Sequence, residues 1–136
     1  MARILCIDYG RKRTGLAVTD PDRIIVSGLD TVESNRLVAY LKDYTAVETV
    51  DEIVIGHPGQ LDPGSSYLAQ DVEDLGRALS KRFPGTDIVF HDESFSSALA
   101  KEVILASGAT KKKRRQKGLV DKMSAVLILQ DYLGHI

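Results

Sequence analysis

The stretch Ile4-Leu5-Cys6-Ile7-Asp8-Tyr9-Gly10-Arg11-Lys12-Arg13-Thr14-Gly15-Leu16-Ala17-Val18-Thr19 decides the fold. Its four consecutive apolar residues, Ile4 to Ile7, suit a central strand covered on both faces. Asp8 closes that run. Gly10 then opens a tight basic turn, Arg11-Lys12-Arg13, from which a second strand runs back. A carboxylate at the end of a core strand is costly to desolvate unless a cation meets it. A metal ion is one such partner; Arg11, Lys12 or Arg13 folding back is the other.

Beyond this hairpin, Thr19-Asp20-Pro21-Asp22-Arg23 has turn chemistry and Ile24-Ile25-Val26 reads as a third strand, completing an antiparallel meander. Ser34 is placed to cap a helix that carries Leu37, Leu41 and Tyr44 at helical spacing. Asp51 to Gly56 reads as a buried fourth strand, followed by a loop. Ser65 or Ser66 can cap a second helix, whose stripe is Leu68, Val72, Leu75, Leu79 and Phe83. Pro84-Gly85 stops it. Ile88 to Phe90 is a fifth strand that ends in His91-Asp92-Glu93. A helix over 96–107, a basic linker and an apolar helix from about Leu119 to Leu133 follow. This order predicts an α/β fold: a mixed five-stranded sheet, with a three-strand antiparallel meander plus two parallel strands, flanked by helices. At 136 residues the chain is expected to form a single domain, 1–136.

Composition narrows the class. The lone Cys6 excludes an internal disulfide and suits a reducing compartment, where it serves as a small buried hydrophobe. No signal-peptide pattern or membrane-length apolar run is present, so a cytoplasmic address is expected. The net charge of −1 hides an uneven distribution. Nine of the 18 Lys and Arg residues fall in two stretches, Arg11 to Arg13 and Lys111 to Lys117, so a strong local field sits on a nearly neutral chain.

In open α/β sheets the site lies beyond the carboxyl ends of the parallel strands. Asp8, Gly56-His57-Pro58 and Asp92-Glu93 fall there. Asp121 sits in the first turn of the last helix, which favours its ionised form by roughly 0.3–1 kcal/mol. Spacing puts Asp121, Ala125, Ile128 and Tyr132 on one face, with small Ala125 permitting close approach to the sheet. Singly, these acids are ordinary turn, loop or first-turn helix residues. Jointly, Asp8, Asp92 or Glu93, and Asp121 would repel unless cations lay between them. Mg²⁺ or Mn²⁺ takes such oxygen ligands, and two ions at roughly 3.5–4 Å suit phosphodiester cleavage. One Cys and the scattered His57, His91 and His135 cannot build a zinc site. The linker Lys111-Lys112-Lys113-Arg114-Arg115-Gln116-Lys117 directly precedes Asp121. It suits a phosphate backbone drawn toward the carboxylates, without aromatic residues for base stacking.

These residues resemble the YqgF/RuvX family of the ribonuclease H-like superfamily. The likeness rests on Ile7-Asp8-Tyr9-Gly10-Arg11-Lys12-Arg13-Thr14-Gly15, Ile53-Val54-Ile55-Gly56-His57-Pro58, His91-Asp92-Glu93-Ser94 and Val120-Asp121-Lys122-Met123-Ser124-Ala125. The basic linker and Ile128-Leu129-Gln130-Asp131-Tyr132-Leu133 extend it over essentially the whole chain. The resemblance implies a ribonuclease H-like fold and a metal-dependent nuclease, linked in this family to pre-16S rRNA maturation and to Holliday-junction resolution. It implies Asp8, Asp92 or Glu93, and Asp121 as catalytic metal ligands. Arg11, Lys12, Arg13, Lys111, Lys112, Lys113, Arg114, Arg115 and Lys117 are the basic residues expected to face nucleic acid. The family usually carries Arg where Ser94 stands and an aliphatic residue where His57 stands. Related resolvases place a glutamate where this chain has Gly56-His57.

Three functions fit these features. The first is a metal-dependent endonuclease acting on structured RNA, as in 5′ processing of pre-16S rRNA on a pre-ribosomal particle, or on a branched DNA junction. Symmetric cutting of a junction would call for a homodimer. The second is an RNA-binding assembly factor without turnover. The third starts from the likeness of Asp-x-Gly and Thr-Gly to a phosphate loop of actin-like ATPases. That fold needs two domains closing on a nucleotide, more than 136 residues supply.

Overall fold

The computed structural model describes residues 2–58, 66–92 and 117–135, with the side chains of 66, 67, 117 and 118 left aside. In chain order its elements are β1 (Arg3–Asp8), β2 (Arg13–Thr19), β3 (Val26–Glu33), a 3₁₀ turn (Ser34–Arg36) and α1 (Leu37–Val47). Then come β4 (Val50–His57), α2 (Ser66–Arg82), β5 (Asp87–Asp92) and α3 (Lys117–Tyr132). The five strands form one sheet in the order β3-β2-β1-β4-β5. β1–β2 and β2–β3 pair antiparallel, whereas β1–β4 and β4–β5 pair parallel. The expected mixed sheet is the observed one, and β1 lies at its centre.

Both faces of β1 are covered, as its unbroken apolar run requires. Leu5 and Ile7 join Leu16, Ile53 and Ile55 in a core closed by Leu37 and Leu41 of α1 and Val72 and Leu79 of α2. Ile4 and Cys6 turn the other way, with Ala17 and Val54, onto Ala125, Ile128 and Leu129 of α3. Cys6 is fully buried there as a small hydrophobe. The α2 stripe holds as read, with Leu68, Leu75 and Phe83 packed beside buried Val72 and Leu79.

Three local expectations are corrected. Ile24 and Ile25 are not in the third strand; they are 67% and 62% exposed, and β3 begins at Val26. The Asp20 carboxylate accepts the backbone N–H groups of both isoleucines at 2.7 and 2.8 Å, and Arg23 adopts a φ of +60°. Those N–H groups are thereby lost to any ladder. Ser34 is not a helix N-cap. It opens the 3₁₀ turn, with its hydroxyl donating to the Gly10 carbonyl and lying 2.8 Å from the Thr14 hydroxyl, so it ties β3 to the basic turn. The helix expected over 96–107, the cap at Ser65 and the linker Lys111 to Arg115 lie outside the described residues, and the Ser66 side chain is not described. α3 begins at Lys117, before the expected Leu119, so Asp121 lies in its second turn and not its first.

Candidate active site

The parallel pairing brings the carboxyl ends of β1, β4 and β5 to one edge. Ile7 pairs with Ile55, Gly56 with His91 and His57 with Asp92. Strand alternation then assigns the side chains to faces. Asp8 follows Ile4 and Cys6 onto the α3 face. Gly15 is the cross-strand partner of Asp8 and shares that face with Ala17. A Cβ on Gly15 would stand 2.0 Å from the Asp121 carbonyl oxygen, so the first turns of α3 rest directly on β2 beside Asp8. Only a residue without a side chain permits that approach. Asp8 and Asp121, 113 positions apart in sequence, are thus neighbours on one face.

Arg13 completes this unit. Two positions before Gly15 on the same face of β2, it donates from Nε to Asp121 Oδ2 at 3.1 Å. A residue of the basic turn thus folds back onto a carboxylate, and the carboxylate is Asp121. Arg11 pairs with Asp71 of α2, also at 3.1 Å. With Lys12, Glu33 and Asn35, these two arginines line a surface cleft of about 410 Å³ beside the same edge.

Asp92 is not brought to the α3 face. Phe90 packs against α2, where a Cβ on Gly76 would meet its ring at 2.5 Å. Asp92 is two residues on and opposite His57, which reaches α2 itself through Glu73 at 3.5 Å. His91 alone of these three points toward α3, with Nε2 at 2.7 Å from Asp131 and its ring edge-on to Tyr132. Among the described residues, no three His, Cys, Asp or Glu side chains gather as a metal-binding group. Glu93 lies outside them, as do Ser94 and Lys111 to Arg115; the Lys117 side chain is not described either. Asp8 and Asp121 nevertheless fit a hard divalent cation in kind: both are oxygen donors, on one face, with Asp121 only partly exposed.

Sequence reasoning missed the Arg13–Asp121 pair and the turning of His91 onto α3.

The solved structure of T. thermophilus RuvC in complex with Holliday junction substrate has the same fold. It matches with a TM-score of 0.59 at 19% identity, covering 98% of this chain and 97% of that one. A second T. thermophilus RuvC structure matches with a TM-score of 0.53 at 12% identity, covering 97% and 96%. The sheet and its helices are thus of the ribonuclease H-like class to which RuvC belongs. Residues 2–135 match the family model described as "RuvX: Holliday junction resolvase". A Flavobacterium johnsoniae protein named "Putative pre-16S rRNA nuclease" is 46% identical over 134 residues, covering 98% of this chain and 97% of its own length. A Porphyromonas gingivalis protein of the same name is 47% identical over 135 residues, covering 99% and 98%. The chain belongs to the RuvX family.

Proposed function

We propose that this protein is a metal-dependent endonuclease that trims the 5′ end of pre-16S rRNA. The observation that carries this is the placement of Asp8 and Asp121 on one face, at the carboxyl edge of the parallel strands, in a chain nearly half identical to proteins named for pre-16S rRNA cleavage. Asp8 and Asp121 would hold Mg²⁺ or Mn²⁺, two ions in the full site. We assign the third carboxylate to Glu93 rather than Asp92, because Asp92 lies on the α2 face. When bound, the ions supply an activated water and charge stabilisation at the leaving oxygen.

The chain's own residues then bind and orient the substrate. Arg11, Lys12 and Arg13 border the site on the β2 side; Lys111 to Arg115 precede in sequence the helix that bears Asp121, and Lys117 is its first residue. Both stretches can bind phosphates flanking the scissile bond, which fixes register without reading sequence. The whole chain acts as one domain, in the cytoplasm where rRNA is made, on a pre-ribosomal particle.

A second substrate is favoured by the family description itself: a four-way DNA junction, cut by a homodimer. Incubating the purified protein with Mn²⁺ on a pre-16S rRNA fragment and on a four-way junction separates the readings. A discrete cut in the RNA is expected. A cut confined to the junction would transfer the function to DNA. Salt-sensitive binding with no cut in either would leave an RNA-binding assembly factor.

A further inference from the structure

The basic turn carries an arginine that faces inward. Arg13 gives its Nε–H to Asp121 Oδ2, yet Asp121 is one of the two described carboxylates assigned above to the metal. Three features make this more than a surface ion pair. The first turns of α3 touch β2 twice, through the Asp121 backbone on Gly15 and through the Asp121 side chain on Arg13. Asp8 is the cross-strand partner of Gly15 on that face, so Arg13 brings a positive charge to the face that carries both carboxylates. A second carboxylate, shared with Arg36 at 3.6 Å, also lies beside Arg13. Glu33 is its cross-strand partner on β3 and lines the cleft that Arg11, Lys12 and Asn35 share with it.

We infer that Arg13 is a resident counter-ion of the candidate metal site. It neutralises Asp121 while no divalent ion is bound, and it yields that carboxylate when an ion arrives, swinging toward Glu33 and the cleft. Metal loading would thereby present a guanidinium to the phosphate side. Arg13 is a positioning residue in this scheme and not a ligand. The inference rests on the metal reading proposed above.

Titrating Mn²⁺ into the full chain without nucleic acid tests it. The ion can take Asp121 only after the partly exposed Arg13–Asp121 pair is given up, a cost of up to about 1 kcal/mol, so Arg13→Gln should bind Mn²⁺ up to about fivefold more tightly than the wild type. Arg13→Lys, which keeps the charge, should stay within about twofold. In an Asp121→Asn background, Arg13→Gln should change nothing. In the wild type, the Arg13 side-chain ¹⁵Nε resonance, assigned by its loss in Arg13→Lys, should move during a Mg²⁺ titration with the midpoint of ion binding. This last arm needs no Arg13→Gln protein to fold. Unchanged or weaker Mn²⁺ binding by Arg13→Gln, or an unmoved ¹⁵Nε signal at saturating Mg²⁺, overturns the counter-ion role and leaves the metal site standing. A wild type that takes up no divalent ion overturns both.

Discussion

At the residue scale, Gly15 is the position on which the site turns. Its missing side chain lets the Asp121 carbonyl come to 2.0 Å from where a Cβ would be, and backbone cannot step aside as a flexible side chain can. Gly15→Ala should therefore push α3 off β2, costing about 1–3 kcal/mol in urea unfolding and most of the activity. Gly28 is the matched control. A Cβ there meets only the Lys122 side chain, at 2.8 Å, so Gly28→Ala should cost well under half as much. Equal losses at the two positions would remove the close approach from the argument. The Gly15 contact was not legible in the sequence: Thr14-Gly15 belongs to the opening motif, but nothing local shows that a helix 106 residues away rests on it. The Arg13–Asp121 pair was hidden for the same reason, since two polar residues 108 positions apart leave no local pattern.

At the element scale, the strongly patterned segments were legible because apolar runs and stripes report burial directly. β1, β4 and the α2 stripe stand where periodicity puts them. β3 was displaced because one side chain, Asp20, captures the two N–H groups on which the strand reading of Ile24 and Ile25 depended. The far end of α3 is held by Tyr132, whose hydroxyl donates to the Glu52 carboxylate of β4. That hydrogen bond, with burial and the Glu52 charge adding to it, pushes the Tyr132 pKa up to about 12 from an ordinary 10. The folded state thus holds this proton more tightly than the unfolded chain does. The resulting stability is fully present below about pH 10 and is lost as pH rises from there toward 12. Tyr132→Phe should cost about 1 kcal/mol at neutral pH, and its deficit against the wild type should shrink across pH 10–12. A deficit that stays constant through that range would show that the hydrogen bond does not anchor α3.

At the scale of the whole molecule, the charge distribution and the sheet edge act together. The net charge of −1 gives no general attraction to nucleic acid, so binding must depend on the two basic stretches. Replacing Lys111, Lys113 and Arg115 with Gln should weaken RNA binding and lower the slope of log K against log salt by roughly 2–3, one counterion per lost phosphate contact. An unchanged slope would make the linker a solvated loop. The placement of the acids at this edge was only partly legible. Asp8 and Asp121 lie on one face, although α3 starts at Lys117 and so carries Asp121 in its second turn rather than its first. The pleat of β5 turns Asp92 away, a parity that Asp92-Glu93 does not reveal until the strand register is known. The most direct measurement is cleavage of a pre-16S rRNA fragment in Mn²⁺ by the wild type, Asp8→Asn, Asp92→Asn and Glu93→Gln, each checked for folding. The wild type should cut, Asp8→Asn and Glu93→Gln should lose at least about 100-fold in rate, and Asp92→Asn should retain most of it. Cleavage that survives Asp8→Asn would contradict the site at its centre.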